Sequence, residues 1–229
     1  MSISIEPIAH IYTDFPSKFG IPRQSGIVSA LQGRIVLTPA YRNADALRGL
    51  DAFSHLWLIW HFSAAAPDSC RWQPTVRPPR LGGNKRMGVF ATRSPFRPNR
   101  LGLSAVRLSH IDFDTPNGPI IHVLGADLMS GTPIFDIKPY IAFADSIADA
   151  KSGFVDEVDF QQLEVDFPPH LQQLLPNNLA TTLTDVLRNN PRPQYQTDAN
   201  RVYGMPFAGF DVKFRINGDK LTVVDLVRI

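Results

Sequence analysis

The sequence predicts a mainly β protein with α+β character: an N-terminal β-barrel-like domain, not of the Rossmann type, and a small C-terminal α/β domain. Three observations lead there. Short apolar runs of strand length recur through the first two-thirds of the 229 residues, separated by Gly, Pro and Asn clusters that suit turns. One segment, residues 177–189, carries the 3.6-residue apolar period of a helix. The chain then closes on an alternating run followed by Asn-Gly. Many short strands with few helices favour a closed or nearly closed barrel. There is no Gly-x-Gly-x-x-Gly and no Walker sequence, so dinucleotide and P-loop chemistry are not expected.

In chain order, Ile3 and Ile5 alternate with polar residues, as in a half-buried strand. Residues 34–37 form a β-branched run that ends before Pro39, and residues 43–50 suit a short helix starting at Asn43 or Asp45. Residues 55–62 are apolar on both faces and read as a strand buried in the core, with His55 and His61 as core histidines. Further strands are expected over 87–91, 103–113 and 120–124. Residues 145–166 are acidic and irregular, a link that divides the chain into 1–145 and 146–229. In the helix at 177–189, Leu179, Leu183, Val186 and Leu187 share one face. Phe210, Val212, Phe214 and Ile216 then alternate with Asp211, Lys213 and Arg215. Asn217-Gly218 supplies a tight two-residue turn, and residues 221–229 pair back.

Hydrophobic residues make up 44% of the chain, enough for a packed core. The single cysteine, Cys70, excludes an internal disulfide and fits a reducing compartment. The first residues lack the basic start and apolar stretch of a signal peptide. The most apolar run, residues 56–60, falls far short of the roughly 20 needed to span a bilayer. A soluble, cytoplasmic protein without membrane contact is expected.

The balance of 23 basic against 21 acidic residues conceals a polarised chain. Arg71, Arg77, Arg80, Lys85, Arg86, Arg93, Arg97 and Arg100 fall in a stretch with no Asp or Glu. Residues 145–166 hold seven acids and one base, Lys151. Either the two segments neutralise each other, within the fold or across a dimer, or the basic one forms a phosphate-binding surface. Arg serves the second use better than Lys, because its planar fork holds phosphate through two hydrogen bonds.

Three loops carry the chemistry. Residues 77–83, Arg-Pro-Pro-Arg-Leu-Gly-Gly, are rigid at one end and permissive at the other. Residues 88–99 end a strand in a Pro-stiffened loop bearing Arg93, Ser94, Arg97 and Asn99. Residues 127–133, Asp-Leu-Met-Ser-Gly-Thr-Pro, form a second strand-to-turn element, which an ordinary turn would equally explain. The six histidines lack metal-ligand spacing, so no metal is expected, and no Ser/His/Asp grouping stands out. Residues alone reach a β-barrel protein with an arginine-rich loop site for an anionic partner, and no reaction.

These motifs resemble the TrmO family, also called TsaA-like or YaeB, in its longer bacterial branch. The likeness covers nearly the whole chain. It runs through residues 18–24 (Lys-Phe-Gly-Ile-Pro-Arg-Gln), 53–57 (Phe-Ser-His-Leu-Trp), 77–83 and 88–99. It continues through 101–104, Gly131-Thr132-Pro133, 136–140, Pro191-Arg192-Pro193 and Tyr195. The resemblance implies a homodimeric β-barrel methyltransferase that uses S-adenosylmethionine. Its substrate would be N6-threonylcarbamoyladenosine beside the anticodon, as in threonine-accepting tRNA. Cofactor contacts would fall on Gln24, Ser25, Gly26, Ser63, Arg93, Leu103, Leu128, Met129, Ser130, Gly131 and Thr132. On the phosphate-surface reading of the basic stretch, Arg77, Arg80, Arg86 and Arg97 are the arginines expected to contact RNA. Three positions depart from the family pattern. Ser63 stands where His is usual, Ser130 where Asp is usual, and Asn190 where Asp precedes Pro-Arg-Pro.

Methyl transfer of this kind is an in-line displacement at a sulfonium, in which positioning supplies much of the rate. The nucleophile would be a nitrogen conjugated to a purine and a carbonyl, so its proton must leave. Asp127, Asp136 and Tyr140 are the candidates for that step, and Asp136 also suits a structural role. The alternative from another class is a tRNA-binding module without catalysis.

Overall fold

The computed structural model describes residues 3–64, 72–81, 85–158, 161–176, 178–192, 196 and 198–229, with Arg80 as backbone alone. Its strands are β1 (Ala9–Thr13), β2 (Gln32–Leu37), β3 (His55–His61), β4 (Thr75–Val76), β5 (Met87–Gly88) and β6 (Leu101–Asp112). They continue as β7 (Ile120–Leu124), β8 (Thr132–Pro139), β9 (Glu164–Asp166), β10 (Tyr203–Phe207), β11 (Phe210–Asn217) and β12 (Lys220–Arg228). The helices are α1 (Ala142–Asp145), α2 (Pro169–Gln172) and α3 (Leu179–Arg188).

Six strands close a barrel in the order β1-β2-β7-β6-β3-β8, and β8 pairs back to β1. All six pairings are antiparallel. Strand side chains alternate between faces, so every second residue points into the barrel. Ile11, Ile35, Leu56, Leu58, Ile121 and Ile134 fill it and are fully buried. A second sheet, in the order β10-β11-β12-β9, carries α3. Leu183, Val186 and Leu187 on the helix meet Val212, Phe214, Leu221 and Val223 in one core. The mainly β architecture, with a barrel first and a small α/β unit after it, is as the sequence predicts.

The second core also takes residues from the first half of the chain. Phe15, Val28 and Leu31, on the connection between β1 and β2, are buried in it. Phe15 meets Phe207 edge to face, with centroids 5.1 Å apart, and Ala208 N–H donates to the Asp14 carbonyl at 2.8 Å. A Cβ on Gly20 would overlap the Met205 sulfur. The β1–β2 connection is therefore clamped by the C-terminal sheet, which fixes the loop that carries Gln24, Ser25 and Gly26.

Several elements differ from the sequence reading. Ile3 and Ile5 are exposed and outside any strand, because the first strand with partners begins at Ala9. Residues 43–50 form no α-helix. They make a 3-10 turn, Ala44–Leu47, capped by the Asn43 side chain, and a second turn, Leu50–Ala52, follows. β3 is not buried on both faces. Leu56, Leu58 and Trp60 point inward while Trp57 and Ile59 stay half-buried outside. His55 is exposed and His61 half-exposed, so neither is a core histidine. Residues 87–91 hold only a two-residue strand before a 3-10 turn, Val89–Ala91. The acidic segment is not wholly irregular, since β9 pairs in parallel with β12 and Lys220 lies 3.4 Å from Asp166.

Candidate functional site

The site is built at one end of the barrel, where β3, β6 and the segment after β7 converge. Trp60 points inward on β3 and pairs with Gly102 on β6. A Cβ on Gly102 would overlap carbons of the Trp60 ring, so only glycine admits the indole there. The buried indole needs an acceptor. It donates from Nε1 to Ser104 Oγ at 3.0 Å, and Ser104 Oγ donates to Asp127 Oδ1 at 2.7 Å. An indole nitrogen can only donate, so the serine hydrogen is directed onto the carboxylate. Burial pushes the Asp127 carboxyl above its ordinary value, against the opposing pull of the Ser104 hydrogen bond and the nearby Arg93 charge. A backbone N–H from Ser25 also favours the charged form.

Arg93 reaches across from the loop after the turn at Val89–Ala91, and its Nη1 donates to Gln24 Oε1. That loop is tied from within. Thr92 Oγ1 donates to the Val89 carbonyl at 2.8 Å and accepts from Ser94 N–H. Arg97 donates to the Thr92 carbonyl at 3.0 Å and the Ser94 carbonyl at 3.4 Å. On the other side, Gly26 N–H donates to the Gly125 carbonyl at 2.9 Å. Residues 24–26, Arg93 and Asp127 thus meet although they lie far apart in the chain.

The turn at 128–132 is strapped to β1. Thr13 Oγ1 donates to the Leu128 carbonyl at 2.9 Å. Ser130 N–H donates to the Phe15 carbonyl and Gly131 N–H to the Ile11 carbonyl, both at 2.8 Å. Ser130 Oγ accepts from Thr13 N–H at 3.4 Å, which gives the hydroxyl a structural use. Gly26 and Gly131 hold φ of 78° and 83°, and a Cβ on either would meet open space. It is the positive φ, and not crowding, that calls for glycine at both.

Comparison with known proteins fits this geometry. Residues 10–146 match the tRNA-methyltransferase O N-terminal domain, and residues 157–229 match the TrmO C-terminal domain. The chain belongs to the TrmO family. It is 39% identical over 224 residues to a tRNA (adenine(37)-N6)-methyltransferase of Escherichia coli strain K12, covering 94% of each chain. It is 37% identical to a putative S-adenosylmethionine-dependent methyltransferase of Pseudomonas aeruginosa, covering 99% of this chain and 98% of the relative. A crystal structure of TrmO from Pseudomonas aeruginosa superposes with a TM-score of 0.77 at 32% identity, covering 99% of both chains. Membership of the TrmO family makes the protein a methyltransferase.

Within this TrmO-family chain, the residues expected at the site are unevenly placed. Gln24, Ser25, Gly26 and Arg93 come together with Asp127. Leu103 is 54% exposed on β6, next to Ser104 in sequence. Leu128 and Thr132 are buried, Met129 and Ser130 half-buried and Gly131 exposed. Ser63 follows β3, its N–H donating to the His61 carbonyl at 2.8 Å. Asp136 is 2.8 Å from Lys138 Nζ and accepts from Ile137 N–H. Tyr140 packs on Trp57 with centroids 5.5 Å apart. Neither Asp136 nor Tyr140 shares a partner with Asp127 in these interactions. Arg77 and Arg86 are exposed, and Arg86 donates to Thr75 Oγ1 at 3.2 Å. The Arg80 side chain, Arg71, Gly82, Gly83, Pro193 and Tyr195 lie outside the described residues. Among the described residues no group of three or more His, Cys, Asp or Glu could hold a metal ion. No helix there is long and apolar enough to cross a membrane.

Trp60 and Ser104, which hold Asp127, were not among the site residues expected from the sequence. A Trp at an inward strand position must find an acceptor for its N–H, and Ser104 is a polar residue in a strand pattern. Their pairing depends on the β3–β6 register, which the sequence does not display.

Proposed function

We propose that this protein transfers the methyl group of S-adenosylmethionine to the exocyclic nitrogen of N6-threonylcarbamoyladenosine beside the anticodon of threonine-type tRNA. It does so as a cytoplasmic homodimer, a reading that rests on the family resemblance. The observation that carries the catalytic part is the Trp60–Ser104–Asp127 relay. It orients a carboxylate whose burial raises its proton affinity, beside a loop held by Arg93 and Gln24.

The cofactor fits the residues present. Gln24, Ser25, Gly26, Ser63, Leu103 and the turn at 128–132 would hold it, and the Arg93 guanidinium suits its carboxylate. S-adenosylmethionine, when bound, supplies a methyl group activated by positive sulfur. The work of the chain is to hold the nitrogen in line with that methyl and to take its proton. Asp127 is the group we assign to the proton, with its Oδ1 kept in place by Ser104. A carboxyl with a raised proton affinity is a better base for a weakly acidic N–H than an ordinary exposed aspartate. Arg77, Arg80 and Arg86 would contact phosphates, giving affinity without sequence choice, whereas Arg97, expected to join them, is engaged with the Thr92 and Ser94 carbonyls.

Mass spectrometry of nucleosides tests the assignment. tRNA incubated with protein and S-adenosylmethionine should gain one methyl on threonylcarbamoyladenosine. Equal turnover on tRNA lacking the threonylcarbamoyl group would overturn the substrate, and no methylation of either would overturn the enzyme.

A further inference from the structure

The basic loop carries two aromatic rings that are turned to water. Trp72 is 49% exposed and Phe90 73% exposed. Their planes lie within 21° of each other, with centroids 6.4 Å apart. The backbone holds them there. Gln73 N–H, next to Trp72, donates to the Phe96 carbonyl at 3.0 Å. Val89 N–H, next to Phe90, donates to the Pro74 carbonyl at 3.0 Å. Between these two ties β4 pairs with β5, Thr75 opposite Gly88 and Val76 opposite Met87.

A single exposed aromatic needs no explanation. Two near-parallel rings displayed by backbone hydrogen bonds on a strongly basic segment are a different matter. Residues 71–100 contain no Asp or Glu, and Arg77, Lys85 and Arg86 are exposed on that segment. The ligand that offers a flat apolar face with negative charge beside it is an unpaired nucleobase with its phosphate. The place is suitable as well. Phe90 lies three residues before Arg93, which reaches Gln24 and acts on Asp127.

We propose that Trp72 and Phe90 form a stacking platform for an unpaired base of the substrate RNA, outside the methyl-transfer site, while Arg77 and Arg86 neutralise the flanking phosphates. The proposal rests on the tRNA reading above. Stacking tolerates any base, so the platform adds affinity for single-stranded loop over helical stem without reading a sequence.

The test uses the full-length protein and a labelled anticodon stem-loop RNA. Fluorescence anisotropy gives RNA affinity at several salt concentrations, calorimetry gives S-adenosylmethionine affinity, and light scattering gives the oligomeric state. Trp72→Ala and Phe90→Ala should each weaken RNA binding by roughly 5- to 150-fold. The salt slope and the S-adenosylmethionine affinity should stay unchanged, and Trp72→Phe should retain most of the RNA affinity. RNA binding in the double alanine variant equal to the wild type overturns the platform alone. A change of oligomeric state in that variant overturns it too, because the rings would then belong to a contact between subunits. A wild type that binds S-adenosylmethionine but no RNA overturns both the platform and the tRNA reading.

Discussion

Asp127 sits under opposing influences: burial favours its neutral form, while Ser104, the Ser25 N–H and the Arg93 charge favour the anion. Burial prevails, so the folded protein binds its proton more tightly than the unfolded chain does. The stability that this proton binding contributes is complete below the unfolded value and is lost as pH rises through the folded one. Asp127→Asn cannot ionise. Its thermal midpoint should therefore gain on the wild type as pH rises from about 4 and level off once Asp127 is ionised. Melting curves across that range check it, and parallel curves would refute the shift. The same substitution should lower kcat by about 100- to 10,000-fold at neutral pH if Asp127 takes the proton. The acid limb of the wild-type profile should then lie above the usual aspartate range. Arg93 differs, because it is exposed and its guanidinium donates to the Gln24 side chain. Arg93→Ala should weaken S-adenosylmethionine binding by roughly 10- to 100-fold, the size of one charge-assisted hydrogen bond. Its thermal midpoint should barely move, and a folding defect instead would make the arginine structural.

At the level of single elements, β3 and β6 position the carboxylate through their register. Gly102 opposite Trp60 lets the indole lie flat against the neighbouring strand, and Ser104 two residues on takes its N–H. Gly102→Ala should cost about 1–3 kcal/mol by forcing the ring aside. Methylation should fall by more than that destabilisation accounts for, since the displaced indole releases Ser104. Urea unfolding beside single-turnover rates measures both, and full activity would show that the relay is dispensable. The loop bearing Arg93 separates two kinds of arginine. Arg97 holds the Thr92 and Ser94 carbonyls, whereas Arg77 and Arg86 project from the exposed segment before it. Arg77→Ala and Arg86→Ala should each reduce the salt slope of RNA binding by about one unit and leave cofactor affinity intact. Arg97→Ala should weaken both ligands, because the loop that aims Arg93 loosens. Titrations of RNA and S-adenosylmethionine on the three variants decide the matter.

Across the whole molecule, the C-terminal sheet supports the barrel site. Phe15, Val28 and Leu31 leave the barrel between β1 and β2 and are buried against α3 and the second sheet. The loop holding Gln24, Ser25 and Gly26 is therefore set by both halves. Phe15→Ala removes a fully buried ring and should destabilise the protein by about 3–5 kcal/mol. It should also weaken S-adenosylmethionine binding, although Phe15 is not among the expected cofactor contacts. Denaturant unfolding together with calorimetry reads both. Cofactor affinity unchanged in the folded variant would show that the C-terminal sheet acts independently of the site.

The sequence by itself determined whatever depends on local pattern. The period of α3 placed Leu183, Val186 and Leu187 in a core, and the alternation of β11 gave the hairpin with β12, although its turn is Gly218-Asp219 and not Asn217-Gly218, because Asn217 still pairs with Lys220. β7 was legible to the residue at 120–124, because a run that is apolar except for His122 lies there between Pro119 and Gly125. β1 and β8 were not legible. β1 spans five residues, and β8 begins within Gly131-Thr132-Pro133, which reads as a turn until β1 pairs with it. Ile3 and Ile5 show the converse, an alternation without a neighbouring strand to pair with. The motifs around Gln24, Arg93 and Asp127 were likewise visible one by one, but their meeting was not. That meeting needs the barrel to close, the β3–β6 register to seat Trp60 over Gly102, and a distant sheet to grip Phe15. Each is a contact between residues far apart in the chain, and a local pattern carries no information about such a contact before the chain has folded.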